Sequence, residues 1–195
     1  MSKSEITRDD ILPMPEYAKV RDQRRRHVTV IKRDRRLAVG PDITFYFENR
    51  DTMLHQIHEM LHVEGGGEAQ LEDELRAYSP LVPGGSELVA TMMIEIDDER
   101  RRAMVLGQLG GIETTIGLNF DDVVVSARPE SDVERTTAGG KTSSVHFLRF
   151  PFTADQVARF RRPDTRVIVE IHHPNYLHMA VMPETVRAAL AGDFA

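Results

Sequence analysis

Leu88-Val89-Ala90-Thr91-Met92-Met93-Ile94-Glu95-Ile96 is where the chain changes its period. Before it, apolar residues recur at helical spacing. Here they run almost unbroken over nine positions, too short for a typical helix and rich in strand formers. Downstream, the spacing predicts strands over 112–119, 122–127 and 142–150, a short helix over 153–161 and a hairpin of 166–173 with 176–182. Pro174-Asn175 lies at the hairpin turn, which pairs His173 with Tyr176 and Ile171 with His178. Asp97 or Asp98 caps a helix through Leu109, and Met182-Pro183-Glu184 starts a last helix to about Leu190.

Upstream, Pro13 and Pro15 open a long helical pattern with Tyr17, Val20, Val28 and Ile31 on one face. Val28-Thr29-Val30-Ile31 also reads as a strand. Ile43–Glu48 is a strand. Asn49 or Asp51 then caps a helix to Glu64, ended by Gly65-Gly66-Gly67, and a further helix covers Glu68 to Tyr78. Helices first, then consecutive strands with short links, predict one α+β domain over 1–195. Its N-terminal helices precede a mostly antiparallel sheet with packed helices, and residues 14–36 form a basic helical arm.

The arm dominates the charge distribution. Residues 19–36 hold nine basic residues against two acidic ones, a net +7, so with the chain at −6 the remainder carries −13. Such an arm can dock on its own acidic body, on an acidic partner, on a second copy, or on nucleic acid. An aromatic content of 6% without Trp does not suggest base-stacking platforms, which speaks against nucleic acid. The absence of cysteine excludes disulfides, thiolate chemistry and Cys-ligated metal. No apolar run suggests a membrane span and the first residues lack a signal-peptide core, so the expected location is cytoplasmic.

His58-Glu59-Met60-Leu61-His62 carries the chemistry of a metal helix. H-E-x-x-H offers two imidazoles to zinc and a Glu to the metal-bound water. Glu68 stands where the longer pattern has its third ligand, after the glycine turn at Gly65. The hydrolase reading therefore takes His58, His62 and Glu68 as ligands and Glu59 as general base. With Ile57 at the centre of the buried face, His55, His58, Glu59 and His62 fall on the opposite side. An amphipathic helix with a solvated polar face looks the same. Only about fifty residues precede the motif and no methionine turn is tied to it, unlike zinc proteases of the long-motif class.

A second histidine cluster lies at His172, His173 and His178. With His146 it suggests a three-histidine site, or imidazoles that simply bond the backbone of a tight turn. Gly139-Gly140-Lys141-Thr142-Ser143 imitates a phosphate loop, but Arg135 occupies the position of its first glycine and a strand follows. It reads as a hairpin loop in which Arg135 and Lys141 are available to an anion.

Several runs together carry a family resemblance. They are Ile6–Ile11, Lys32–Arg36, Phe47–Thr52, Gln56–Leu61, Gly140–Leu148 and His173–Tyr176. Through them the chain resembles, over nearly its whole length, a bacterial domain-of-unknown-function family, family thirty-five-oh-one. The resemblance implies proteins encoded beside a rubrerythrin and an iron–sulfur oxidoreductase. It thereby implies an accessory or partner role in redox or iron-linked stress, with zinc or iron as the metal if one is bound. The family pattern over the motif helix reads Q-I-Q-E-M-L. Glu59 matches it, whereas His58 and His62 depart from it. The resemblance therefore allows Glu59 to pair with the basic arm, for example with Arg24 or Arg25.

Overall fold

The computed structural model describes residues 5–130 and 140–195. Six helices are present among them: α1 (Met14–Arg33), α2 (Arg50–Glu64), α3 (Gly67–Tyr78), α4 (Glu99–Gln108), α5 (Ala154–Arg161) and α6 (Glu184–Ala191). The strands are β1 (Arg36–Val39), β2 (Ile43–Glu48), β3 (Glu87–Ile94), β4 (Ile116–Phe120), β5 (Val123–Ser126), β6 (Arg128–Pro129), β7 (Val145–Pro151), β8 (Ile168–His173) and β9 (Tyr176–Val181). All described pairings are antiparallel, and the fold is α+β as the sequence predicts.

There are two sheets rather than one. The first runs β1-β2-β3-β7-β6 and the second β5-β4-β8-β9. Strand β3 shows why its sequence is apolar at nearly every position. Leu88, Ala90, Met92 and Ile94 join the main core, which the two sheets share with residues of α4, α5 and α6. Val89, on the other face, joins a second core of Met53, Leu54, Ile57, Leu61, Leu71 and Leu81. A strand covered on both faces has no reason to alternate. The outer face of the second sheet is different, because Leu177, Met179, Val181 and Val124 remain more than half exposed there.

Local signals set the element ends. The Asn49 side chain accepts from the Thr52 amide at 3.0 Å while the Thr52 hydroxyl accepts from the Asn49 amide at 3.0 Å, closing a capping box on α2. Gly65 ends that helix in the left-handed conformation, φ 65°. Asp98 caps α4 through the Arg101 amide at 2.6 Å. The hairpin of β8 and β9 has the expected register, His173 opposite Tyr176 and Ile171 opposite His178.

Three sequence readings need correction. Val28–Ile31 is helical, since α1 continues to Arg33. The basic arm is helical only to there, because Arg36 already opens β1. Residues 112–114 form a 3-10 turn before β4 begins at Ile116.

Candidate functional site

The H-E-x-x-H helix α2 is pressed between the first sheet and α1. Its apolar side faces the sheet and is buried, while its polar side faces the basic helix and is partly covered by it. Tyr17 of α1 lies fully buried at the centre of that contact and stacks on the His58 ring, centroids 4.6 Å apart. It meets the His62 ring edge-on at 5.9 Å.

Glu59 is held by α1. Arg21 donates from Nε to Oε1 at 2.9 Å and from Nη2 to Oε2 at 2.8 Å, a two-pronged clamp. The Tyr17 hydroxyl donates to the same Oε1 at 2.6 Å. The Arg21 hydrogen bonds, helped by that of Tyr17, pull the Glu59 carboxyl down to about 2. Burial, reinforced by the Glu59 charge, pushes the Tyr17 phenol well above its usual range. A general base works best with its pKa near the operating pH. Glu59 is far below it, and both its oxygens are engaged.

His58 is buried at 2% exposure. The Leu12 amide donates to its Nε2 at 3.0 Å, so Nε2 must accept. Its Nδ1 therefore carries the proton and donates to the Leu54 carbonyl at 2.8 Å. The one lone pair that zinc would need already receives the Leu12 N–H. Burial lowers the His58 and His55 pKa values and so favours the neutral form of both rings. Glu68 points elsewhere: exposed in the first turn of α3, it pairs with Arg8, which also reaches Glu72 at 3.0 Å.

The four residues of the hydrolase reading are thus engaged by other partners, and Glu68 lies apart from the other three. Glu59 goes to Arg21 and Tyr17, His58 to backbone, and Glu68 to Arg8, with half-buried His62 against the Tyr17 edge. These residues do not fit a zinc site, which needs free donors converging on one point. Among the described residues no group of three or more His, Asp or Glu is placed to hold a metal ion.

The second histidine cluster disperses likewise. His173 accepts at Nδ1 from the Asn175 amide and donates from Nε2 to the Gly110 carbonyl, each at 3.2 Å, which is the turn-bonding role. His146 is fully buried, with Nε2 3.0 Å from the Thr142 hydroxyl and 2.9 Å from the Ser143 carbonyl. His178 packs against the Tyr176 ring, while His172 is exposed beside Glu170 at 3.3 Å. Arg135 and Gly139 lie outside the described residues. Lys141 is exposed, and a strand does follow its loop.

Sequence reasoning missed Tyr17 and Arg21. Their signal is an i, i+4 spacing that continues through Val28 on one face of α1. Lys19, Arg24, Arg25 and Arg26 of α1 are exposed, and among the described residues none of them forms an ion pair. No described helix is long and apolar enough to cross a membrane.

The chain matches a family model described as protein of unknown function (DUF3501) over residues 5–194. It is also similar to a crystal structure of a novel protein of unknown function from Burkholderia pseudomallei K96243. That protein is 39% identical, with a TM-score of 0.90 and an alignment covering 98% of this chain and 100% of the other. No curated protein matches the chain.

Proposed function

This chain belongs to the DUF3501 family of proteins of unknown function, and from that premise we propose that it is an accessory protein that docks an acidic redox partner in the bacterial cytoplasm. The partner is of the rubrerythrin or iron–sulfur oxidoreductase type, the class implied by the family resemblance. The observation that carries the reading is the division of charge on α1. Arg21 is spent holding the helix to the body through Glu59, while Lys19, Arg24, Arg25 and Arg26 face solvent. Exposed cations that form no ion pair among the described residues, on a body that is otherwise acidic, suit a small electrostatic interface. Encounters between redox proteins are typically of that kind, with long-range attraction raising the association rate.

The test is binding of the purified chain to the rubrerythrin-type and iron–sulfur proteins of its own organism, by interferometry at low and moderate salt. Arg24→Glu/Arg25→Glu/Arg26→Glu is expected to weaken binding about tenfold or more, chiefly through the association rate, and wild-type affinity is expected to fall with salt. Sedimentation in the same buffers reads self-association. No binding at low salt, or equal binding by the triple variant, overturns the proposal. Tighter, steeply salt-dependent binding to duplex DNA assigns the arm to nucleic acid instead.

A further inference from the structure

A cleft of about 280 Å³ opens between the end of α1, the helices α2 and α3, and the outer face of the first sheet. Met53, Leu81, Met93, Val145 and Phe147 form an apolar part of its wall, beside the polar side chains of Tyr46, Gln56, Tyr78 and Thr91. Two charged side chains also line it, and they are opposite in sign. Glu48 is buried at 5% exposure, and its carboxylate accepts from the Thr52 hydroxyl at 2.6 Å and the Thr91 hydroxyl at 2.7 Å. Lys32 is half-buried, near the end of α1. Among the described residues neither one forms an ion pair, with each other or with any other group.

A buried carboxylate is expensive unless a positive group or several donors face it. Two hydroxyls satisfy one lone pair on each oxygen, and the nearby Arg35 guanidinium bonds the Glu48 backbone carbonyl and pairs with Asp193 rather than with this carboxylate. Lys32, in the same cleft, lacks an anion. A single ligand that carries an ammonium and a carboxylate on one carbon compensates both, and an apolar side chain branching from that carbon covers the apolar part of the wall. The volume lies just below the range of drug-sized pockets, which fits a small molecule rather than a nucleotide.

We infer that this cleft binds a free α-amino acid with an apolar side chain, its ammonium at Glu48 and its carboxylate at Lys32. The site is independent of the α1 cations that face solvent, so the two readings stand or fall separately. Calorimetric titration of the wild-type protein tests it with L-leucine, L-methionine and two truncated probes, isoamylamine without the carboxylate and 4-methylpentanoate without the ammonium. An amino acid is expected to bind at least about tenfold more tightly than either fragment, since each lost charge contact is worth about that factor or more. Lys32→Met, at the rim, is expected to bring leucine down to the level of isoamylamine while the protein stays folded. Met93→Trp, which fills the cleft, is expected to abolish binding by both. Fragments that bind as well as leucine, no heat with either amino acid, or unchanged affinity in Lys32→Met would each overturn the inference.

Discussion

Arg21 and Glu59 join α1 to α2 through two parallel hydrogen bonds of 2.9 and 2.8 Å, with the Tyr17 hydroxyl adding a third at 2.6 Å. This clamp turns the glutamate of an H-E-x-x-H sequence into a fastening between helices. Side chains that look solvated on a helical wheel are here the contact surface of a second helix.

Replacing Glu59 by Gln keeps the shape and removes the charge. We expect a loss of about 1–2 kcal/mol, trimmed from the value of a fully buried pair because the site is partly open. The pH dependence has a definite sign. Glu59 is depressed from 4.5 to about 2, so its stabilisation is complete above 4.5 and is lost as pH falls toward 2. Urea midpoints of wild type and Glu59→Gln should therefore differ near neutrality and converge below about 2. A gap that persists in acid would mean that the charge does not fasten the helices.

His58 is fixed by packing and by both ring nitrogens. His58→Ala removes a stacked ring and orphans the Leu12 amide, an expected cost of about 2–4 kcal/mol. Its folded pKa is lowered by burial from 6.5, so the folded chain resists protonation while the unfolded chain accepts it. Stability should hold above 6.5 and decline as pH drops below it. His58→Met should flatten that decline in part, since buried His55 adds to it in the same direction. Thermal unfolding across this range reads both slopes, and identical slopes would contradict the assigned role.

The parts of this fold that were legible are those set by near neighbours in sequence. The start of α2 at Asn49 (one of two caps the sequence offers, with Asp51), the left-handed stop at Gly65 and the register of His173 with Tyr176 each depend on a few adjacent residues. Strand β1 escaped notice because its four residues are wedged between the arginines of α1 and the turn at Gly40. The site escaped for another reason. A helical wheel assumes one buried face, and His58 lies about 100° from Ile57 on it. Helix α2 is covered on two sides, which puts both residues inside. That Glu59 takes Arg21 rather than Arg24 or Arg25 depends on which turn of α1 meets α2. The stacking of Tyr17 on His58 belongs to the same contact, and it joins residues 41 positions apart.

Gly40 closes the β1–β2 turn at φ 73°, a conformation that costs other residues strain. Space is closed as well, since a Cβ there would sit 2.6 Å from the Tyr176 hydroxyl and 2.8 Å from the His178 ring. That hydroxyl donates to the Val39 carbonyl at 2.8 Å and accepts from the Asp42 amide at 3.0 Å, tying the first sheet to the second. Gly40→Ala should cost at least about 2 kcal/mol, more than the strain alone. Tyr176→Phe should recover part of that loss in the double variant by removing the clashing oxygen. Strict additivity in denaturant melts would rule out the contact as the cause.

Arg35 and Asp193 form a buried pair that ties the C-terminal segment to β1 and β2. Arg35 also donates from Nε to the Phe47 carbonyl at 2.9 Å and from Nη2 to the Glu48 carbonyl at 3.1 Å. Burial raises the Asp193 pKa even though Arg35 pulls it down, so desolvation outweighs the attraction at this site. A pair of that kind contributes little net stability, yet breaking it on one side leaves a buried guanidinium without its counter-charge. Asp193→Ala should therefore cost about 3–5 kcal/mol. The double change Arg35→Met/Asp193→Leu, which removes both charges and refills the volume, should cost less than the single one. A double-mutant cycle by chemical denaturation measures this directly. If the double variant is the less stable of the two, the pair is a net source of stability and the desolvation argument fails.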